Sequence, residues 1–197
     1  MLLVLASRNL HKARELADIL SGWEVDALTT DAEPPEETGE TFAENARLKA
    51  EFGRRHVASG VWVVGEDSGL EVQGLGGGPG VRSARYAGTH GDDEANLERL
   101  LAELEGVEGE GRRGRYVSEL VALAPDGREV GVRGELAGRI ATEPRGSEGF
   151  GYDPVFVPDD EERTVAELGN AWKARHSHRA QAARALVRAL SEARGVE

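Results

Sequence analysis

The chain has 197 residues, with 24 Lys and Arg against 36 Asp and Glu, for a formal net charge of -12. That length fits one domain, or one domain with a small lobe, and the charge argues against a binder of nucleic-acid polymers or membrane surfaces. There is no Cys, which excludes disulfides, thiolate metal sites and cysteine nucleophiles. No apolar run approaches the ~20 residues of a membrane span. The apolar start is too short for a signal peptide, so a cytoplasmic protein is expected. Of the basic residues, 21 are Arg and three are Lys: Lys12, Lys49 and Lys173. A lysine is a compact point charge and an arginine a planar fork, so three lysines among so many arginines mark positions to ask about.

Leu2 to Ala6 is a continuous apolar run, as in a strand buried on both faces. Leu10, Ala13, Leu16, Ala17 and Leu20 recur at three and four and predict a helix from about Leu10 to Leu20. Glu24 to Leu28 reads as a second strand. Thr29 to Glu40 reads as a loop, with Pro34-Pro35 and many carboxylates. Thr41 to about Val57 is helical, with Phe42, Ala46 and Lys49 at helical spacing. Val61 to Val64 is another buried strand. It runs into Glu66-Asp67-Ser68-Gly69, where Gly69 would permit a sharp exit turn. Gly74 to Gly80 is a Gly-rich loop that does not fit the dinucleotide fingerprint. Asp92 to Leu104 is an amphipathic helix.

Tyr116 to Ala124 and Glu129 to Arg133 flank Pro125-Asp126-Gly127-Arg128, a hairpin signal. Leu136 to Ala141 predicts a further strand, and Phe150 to Val157 mixes turn and strand. Arg179 to Arg194 closes the chain as a helix with Ala183, Leu186, Val187 and Leu190 on one face. The fold class is α/β, strand–helix–strand first and an antiparallel hairpin later. No linker cuts residues 1–197 in two, which predicts a single domain.

Several segments carry chemistry. Ser7 to Lys12 follows a buried strand and opens a helix, where free N–H groups and the helix dipole favour an anion. An ordinary helix cap by Asn9 accounts for it equally well. Between Asp26 and Glu44 stand seven carboxylates and no Lys or Arg; most form a solvated face, and one or two can serve a hard cation. Glu66 and Asp67 end a buried strand, where ligands collect in open α/β sheets. Adjacent carboxylates there are costly unless they bind metal or move protons. Phe150-Gly151-Tyr152-Asp153-Pro154 offers a flat-ligand platform, although a corner packed on the core is the simpler reading. Lys173 lies ahead of Ser177-His178-Arg179, with Ser177 as the natural cap of the last helix. His176 and His178 are two apart, the wrong spacing for two ligands on one helix face, which disfavours zinc.

Together these segments resemble the inosine triphosphate pyrophosphatase family, enzymes that hydrolyse non-standard purine nucleoside triphosphates. The resemblance rests on Ser7-x-Asn9-x-x-Lys12, on Glu37-Thr38-Gly39-Glu40-Thr41-Phe42-x-Glu44-Asn45-Ala46-x-x-Lys49-Ala50, and on Asp67-Ser68-Gly69-Leu70. It continues through Pro79-Gly80-Val81-x-Ser83-Ala84-Arg85-Tyr86-Ala87-Gly88, Phe150-Gly151-Tyr152-Asp153-Pro154-x-Phe156, and Ala166-Glu167-Leu168 with Lys173 and Ser177-His178-Arg179. These stand in the family's order along nearly the whole chain. Glu66 occupies a place where the family usually has Asp, which keeps the charge.

The resemblance implies a long mixed sheet flanked by helices, with two lobes and an active-site cleft between them. It implies a homodimer, Mg²⁺, and cleavage of a purine nucleoside triphosphate (ITP, dITP or XTP) to monophosphate and pyrophosphate. Carried over residue by residue, Ser7, Arg8, Asn9, Leu10, His11 and Lys12 hold the phosphates, together with Lys49. Asp67 is the general base and a metal ligand, and Glu37 is a second metal ligand. A one-residue slip would exchange Glu37 with Glu36. Ser68, Phe150, Gly151, Tyr152, Asp153, Lys173, His178 and Arg179 hold the nucleotide and read the base.

The physical logic agrees. A triphosphate carries about four negative charges, so an acidic protein needs local cations to hold it. Mg²⁺ is held by one or two carboxylates plus substrate phosphates. Inosine and xanthosine carry a 6-oxo acceptor where adenosine carries an amino donor, so a buried donor aimed there discriminates. Guanine shares the 6-oxo group and has to be excluded at its 2-amino position by shape. Two other readings stand beside this one. The first is a Maf-like nucleotide pyrophosphatase with a different base preference. The second is a regulator that binds triphosphate without hydrolysing it.

Overall fold

The computed structural model describes residues 2–7, 16–17, 19–20 and 22–194. Six strands form one sheet: β1 (Leu2–Leu5), β2 (Glu24–Ala27), β3 (Trp62–Val72), β4 (Arg113–Leu123), β5 (Glu129–Ile140) and β6 (Phe156–Pro158). The helices are α1 (Phe42–Arg54), α2 (Asp93–Glu103), α3 (Val165–Leu168), α4 (Asn170–His176) and α5 (His178–Arg194). The sheet order is β2-β1-β3-β4-β5-β6. β1 pairs in parallel with β2 and with β3, with Leu5 opposite Val64, and β5 pairs antiparallel with β6. The sheet is therefore mixed, as expected of this α/β chain. Among the described residues no helix is long and apolar enough to cross a membrane.

Two sequence expectations are corrected. The strand expected to end near Val64 runs on to Val72, so Glu66 to Gly69 lies inside β3 and Gly69 makes no exit turn. A strand interior tolerates these carboxylates because each has a cationic partner, described below. The strand expected from Leu136 to Ala141 is the continuation of β5, one strand from Glu129 to Ile140. The helix expected over 10–20 falls mainly outside the described residues. Of its apolar face, Leu16 and Leu20 are buried in the core.

The chain divides into two compact units, and the division falls inside β3, β4 and β5. Unit 1 comprises Met1–Asp67, Ser118–Gly134 and Arg179–Glu197. Its strands alternate faces in the way a pleat requires. Leu3, Leu5, Trp62, Val64, Leu120 and Ala122 join Ala182, Ala183, Leu186 and Leu190 of α5 in one cluster. The intervening residues serve α1: Val4 clusters with Phe52, and Val121 with Ala46 and Ala50.

The α1 face is packed unusually closely. Ala46, Ala50 and Gly53 recur at four and three along the helix and present almost no side chain. A Cβ added to Gly65 of β3 would lie 1.9 Å from the Ala46 carbonyl oxygen and 2.6 Å from the Ala50 nitrogen. A Cβ added to Gly53 would lie 2.7 Å from Val63 Cγ1 and 2.8 Å from Ala6 Cβ. Helix and strand thus meet backbone to backbone, which is what a glycine inside a strand permits.

Unit 2 comprises Ser68–Val117 and Glu135–His178. Its core gathers Leu70 and Val72 of β3, Leu100 and Leu104, Tyr116, Ile140, Val155, Phe156 and Val165. Arg112 binds the chain around this core. Its guanidinium donates to the carbonyls of Val107 (2.7 Å), Leu104 (2.9 Å) and Ala141 (2.9 Å). It thereby satisfies a carbonyl at the end of α2 that the helix itself leaves open.

Gly65→Ala is expected to cost about 1–3 kcal/mol by overpacking, roughly 2–12 °C in Tm at this length. Gly131→Ala, where nothing lies within 4 Å of the added carbon, should change stability by less than about 0.5 kcal/mol. Thermal melts of the two variants check this, and equal Tm values would refute the close-packing account.

Candidate active site

The site of unit 1 is built on α1 and β3. Thr41 caps α1 by accepting from Glu44 N (3.2 Å), and Glu44 Oε2 accepts in return from Thr41 N (3.1 Å). This capping box fixes where the helix starts. One carboxylate of the acidic run is thus spent on the cap. Asn45 and Lys49 lie one turn apart and share the helix face toward Asp67.

Lys49 Nζ lies 2.7 Å from Asp67 Oδ1 and 2.7 Å from Glu37 Oε1, and donates to the Glu66 carbonyl oxygen at 3.1 Å. An ammonium has three protons, and each finds an acceptor here. Asn45 Nδ2 donates to Asp67 Oδ2 at 3.3 Å, while Asn45 Oδ1 accepts from Gly39 N at 2.8 Å. One buried amide thus ties the loop carrying Glu37 to Asp67. Glu36 is exposed, whereas Glu37 meets Lys49. Glu66 Oε1 accepts from Arg179 Nε at 2.8 Å, in a pair whose side chains are 3% and 8% exposed.

Burial raises the Asp67 carboxyl above the usual aspartate value, and the Lys49 ammonium only partly offsets it. Burial also works against the charged form of Lys49, but the carboxylates of Asp67 and Glu37 outweigh it and hold the ammonium above the ordinary lysine value. Asp67 is therefore a carboxylate with an enhanced proton affinity, and Lys49 stays charged beside it. For a metal, Asp67 and Glu37 offer hard oxygen donors within reach of one ammonium. Among the described residues no group of three His, Cys, Asp or Glu could hold an ion. Two carboxylates completed by substrate oxygens suit Mg²⁺, which rarely takes an all-protein cage.

Ser7 follows β1, its N–H donating to the Leu5 carbonyl at 2.7 Å. Because Leu5 pairs with Val64, Ser7 and Glu66 each stand two residues beyond that pair. Arg8, Asn9, Leu10, His11 and Lys12 lie outside the described residues. Ser68 is half-buried in β3.

The second set lies in unit 2 and centres on Asp153. Its carboxylate accepts from Lys173 Nζ, from Phe150 N (2.9 Å) and from the Tyr116 hydroxyl (3.3 Å). Gly149 has φ of 83°, and a Cβ there would lie 2.2 Å from Asp153 Oδ2, so the turn requires glycine. Lys173 Nζ sits 3.7 Å from the centroid of the Phe150 ring, which is 55% exposed. That is cation–π geometry. Gly151 N donates to Asp93 Oδ2 (2.8 Å), and the Tyr152 hydroxyl donates to the Ser83 carbonyl (2.8 Å). His178 stacks on Tyr116, with centroids 4.8 Å apart and planes 10° from parallel.

The structure thus brings Glu37, Lys49 and Asp67 together, and separately Phe150, Asp153 and Lys173, with His178 on Tyr116. Arg179 and Glu66 pair with each other. Sequence reasoning missed Asn45 and Tyr116 as members of these sets. Asn45 had a signal, one turn ahead of Lys49 and inside the acidic motif. Tyr116 had none, since a strand tyrosine in a hairpin reads as core.

Residues 3–189 match the Ham1 family. A dITP/XTP pyrophosphatase of Mycolicibacterium paratuberculosis is 50% identical over 196 residues, covering 95% of each chain. One of Bacillus licheniformis is 45% identical over 194 residues, covering 96% of this chain and 98% of that protein. The solved structure of the Staphylococcus aureus Ham1 protein matches with a TM-score of 0.88 at 37% identity, covering 98% of this chain and 99% of that one.

The sign of the Asp67 shift makes a prediction. A carboxyl raised in the folded state favours folding below its unfolded value and loses that contribution as pH rises. The stability that Asp67 supplies therefore falls as pH rises toward neutral. Asp67→Asn removes that loss but also takes an anion from Lys49, so the expected signature is a trend: the Tm of the variant relative to wild type should rise from pH 4 to pH 7. A relative Tm that falls or stays flat over that range would contradict the assignment.

Proposed function

The chain belongs to the Ham1 family, and we propose that it hydrolyses non-standard purine nucleoside triphosphates (ITP, dITP and XTP) to the monophosphate and pyrophosphate. The observation that carries this reading is the buried Asp67 held between Lys49 and Asn45 and next to Glu37. The names of the relatives, dITP/XTP pyrophosphatases at 45% and 50% identity, give the substrate class. As a cytoplasmic homodimer, such an enzyme would clear these nucleotides from the pool.

Leaving a monophosphate and pyrophosphate requires water to attack the α-phosphorus and the bond to the pyrophosphate oxygen to break. Asp67 accepts the proton of that water. Its raised proton affinity suits the task, because a base works best when its pKa approaches the working pH. Lys49 places a compact charge where phosphoryl oxygens gain negative charge in the transition state. Mg²⁺, held by Asp67 and Glu37 with the substrate's phosphates, would neutralise the triphosphate and make a bound water more acidic. Asn45 keeps Asp67 and the Glu37 loop in register. Lys12 and its neighbours supply phosphate contacts from the segment after β1.

The set in unit 2 receives the base. Phe150 offers a ring face, and Lys173 and His178 offer donors. A donor pointed at a 6-oxo group meets adenine's amino group unpaired, a loss of about 1–3 kcal/mol, or about 5- to 150-fold in affinity.

A panel of triphosphates, with pyrophosphate and orthophosphate assayed separately, tests the reading. ITP, dITP and XTP should release pyrophosphate with Mg²⁺ and not without it. Release of orthophosphate alone sinks the proposal. Preference for UTP or dTTP turns it toward a Maf-like enzyme, and tight calorimetric binding without turnover toward a regulator. Asp67→Asn should lower kcat by about 10²–10⁴, and retained activity removes Asp67 as the base. Lys49→Arg and Lys173→Arg should raise KM more than they lower Tm, because a fork does not replace a point charge at these contacts. Unchanged KM in both would show that lysine scarcity is compositional only.

A further inference from the structure

Tyr116 stands at the meeting point of the two arms of the base-contacting set. Its ring stacks on His178, 4.8 Å away and nearly parallel, and meets Phe156 at 4.6 Å. Its hydroxyl donates to Asp153 at 3.3 Å. Burial, and the negative charge of Asp153 after it, hold the phenol well above its ordinary value, so it remains a donor. Asp153 in turn accepts from Lys173 and from Phe150 N. One buried side chain therefore touches the ring of one base contact and the anchor of two others.

We propose that Tyr116 is a positioning residue for the base-contacting set, its ring setting the plane of His178 and through it base selection, and its hydroxyl setting the Asp153–Lys173 arm and through it affinity. This rests on the pyrophosphatase reading above. A stacked ring cannot tilt without losing contact area, so His178 presents its ring nitrogens in one plane. A ring free to tilt would meet a 6-oxo group and a 6-amino group with less distinction. The hydroxyl acts differently: losing it leaves Asp153 with Lys173 and the Phe150 amide, which keeps the arm in place but loosens it.

The two contacts separate by substitution. Tyr116→Leu removes the stack and the hydroxyl, and Tyr116→Phe removes the hydroxyl alone. The measurements are kcat and KM for ITP and ATP, with Tm. In Tyr116→Leu the ratio of kcat/KM for ITP over ATP should fall about tenfold, within the range of one misplaced hydrogen bond. This ratio does not depend on how much protein is folded, so a merely structural role would lower Tm and leave it unmoved. In Tyr116→Phe the ratio should hold, while KM for ITP rises about threefold and kcat stays within twofold.

An unchanged ratio in Tyr116→Leu overturns the role of the ring, and an unchanged KM in Tyr116→Phe overturns that of the hydroxyl. Should the leucine variant not fold, Tyr116→Met tests the same loss of plane with a side chain that fills gaps more readily. Wild-type protein that hydrolyses no 6-oxo purine triphosphate overturns the pyrophosphatase reading and this inference with it. Active wild type with an unmoved ratio overturns only the inference.

Discussion

The contact between α1 and β3 sets the geometry of everything around Asp67. Gly65 lets the Ala46 carbonyl come where any side chain would stand. At that distance, a residue on the α1 face can reach a strand residue two positions further on. Asn45 and Lys49 do so, and the loop before the helix follows through the Asn45–Gly39 hydrogen bond. Catalytic geometry tolerates errors of only about 0.5 Å, and close-packed backbones hold such tolerances better than long side chains.

Charge follows the same economy of position. The chain is strongly acidic, yet among the described residues the buried carboxylates are matched one by one. Asp67 has Lys49, Glu66 has Arg179 and Asp153 has Lys173. Burying a carboxylate alone would cost several kcal/mol, and each pair limits that cost locally. The arginine, in the first turn of α5, serves Glu66, where a fork suits a carboxylate. The lysines serve the two proposed substrate-facing sets, where a rotatable ammonium can share its protons among several acceptors.

Much of this was legible in the chain itself. Alternating and continuous apolar runs located β1, β2, α1, α2 and α5 to within a few residues, because burial imposes its period on sequence. The ends of β3 and β5 were not legible. Glu66-Asp67-Ser68-Gly69 has turn composition, and the cations that let its two acids be buried in a strand, Lys49 and Arg179, are distant in sequence. Gly134 interrupts β5 in composition but not in structure. The roles of Glu37 and Lys49 came from ordered motifs and not from spacing. Tyr116 was invisible for a related reason: its importance lies in what the fold stacks against it.

The consecutive carboxylates of β3 have a further consequence. Neighbouring strand residues project to opposite faces, so Glu66 answers to α5 and Asp67 to α1. A strand displaced by one residue would turn each acid to the other face. In either direction one acid takes the other's place and Gly65 or Ser68 fills the place it left, so one of Arg179 and Lys49 loses its β3 anion, Lys49 still keeping Glu37. Such an error is a charged one and costs more than a misplaced methyl group. The two adjacent acids thus tie the register of β3 to the electrostatics of both its faces.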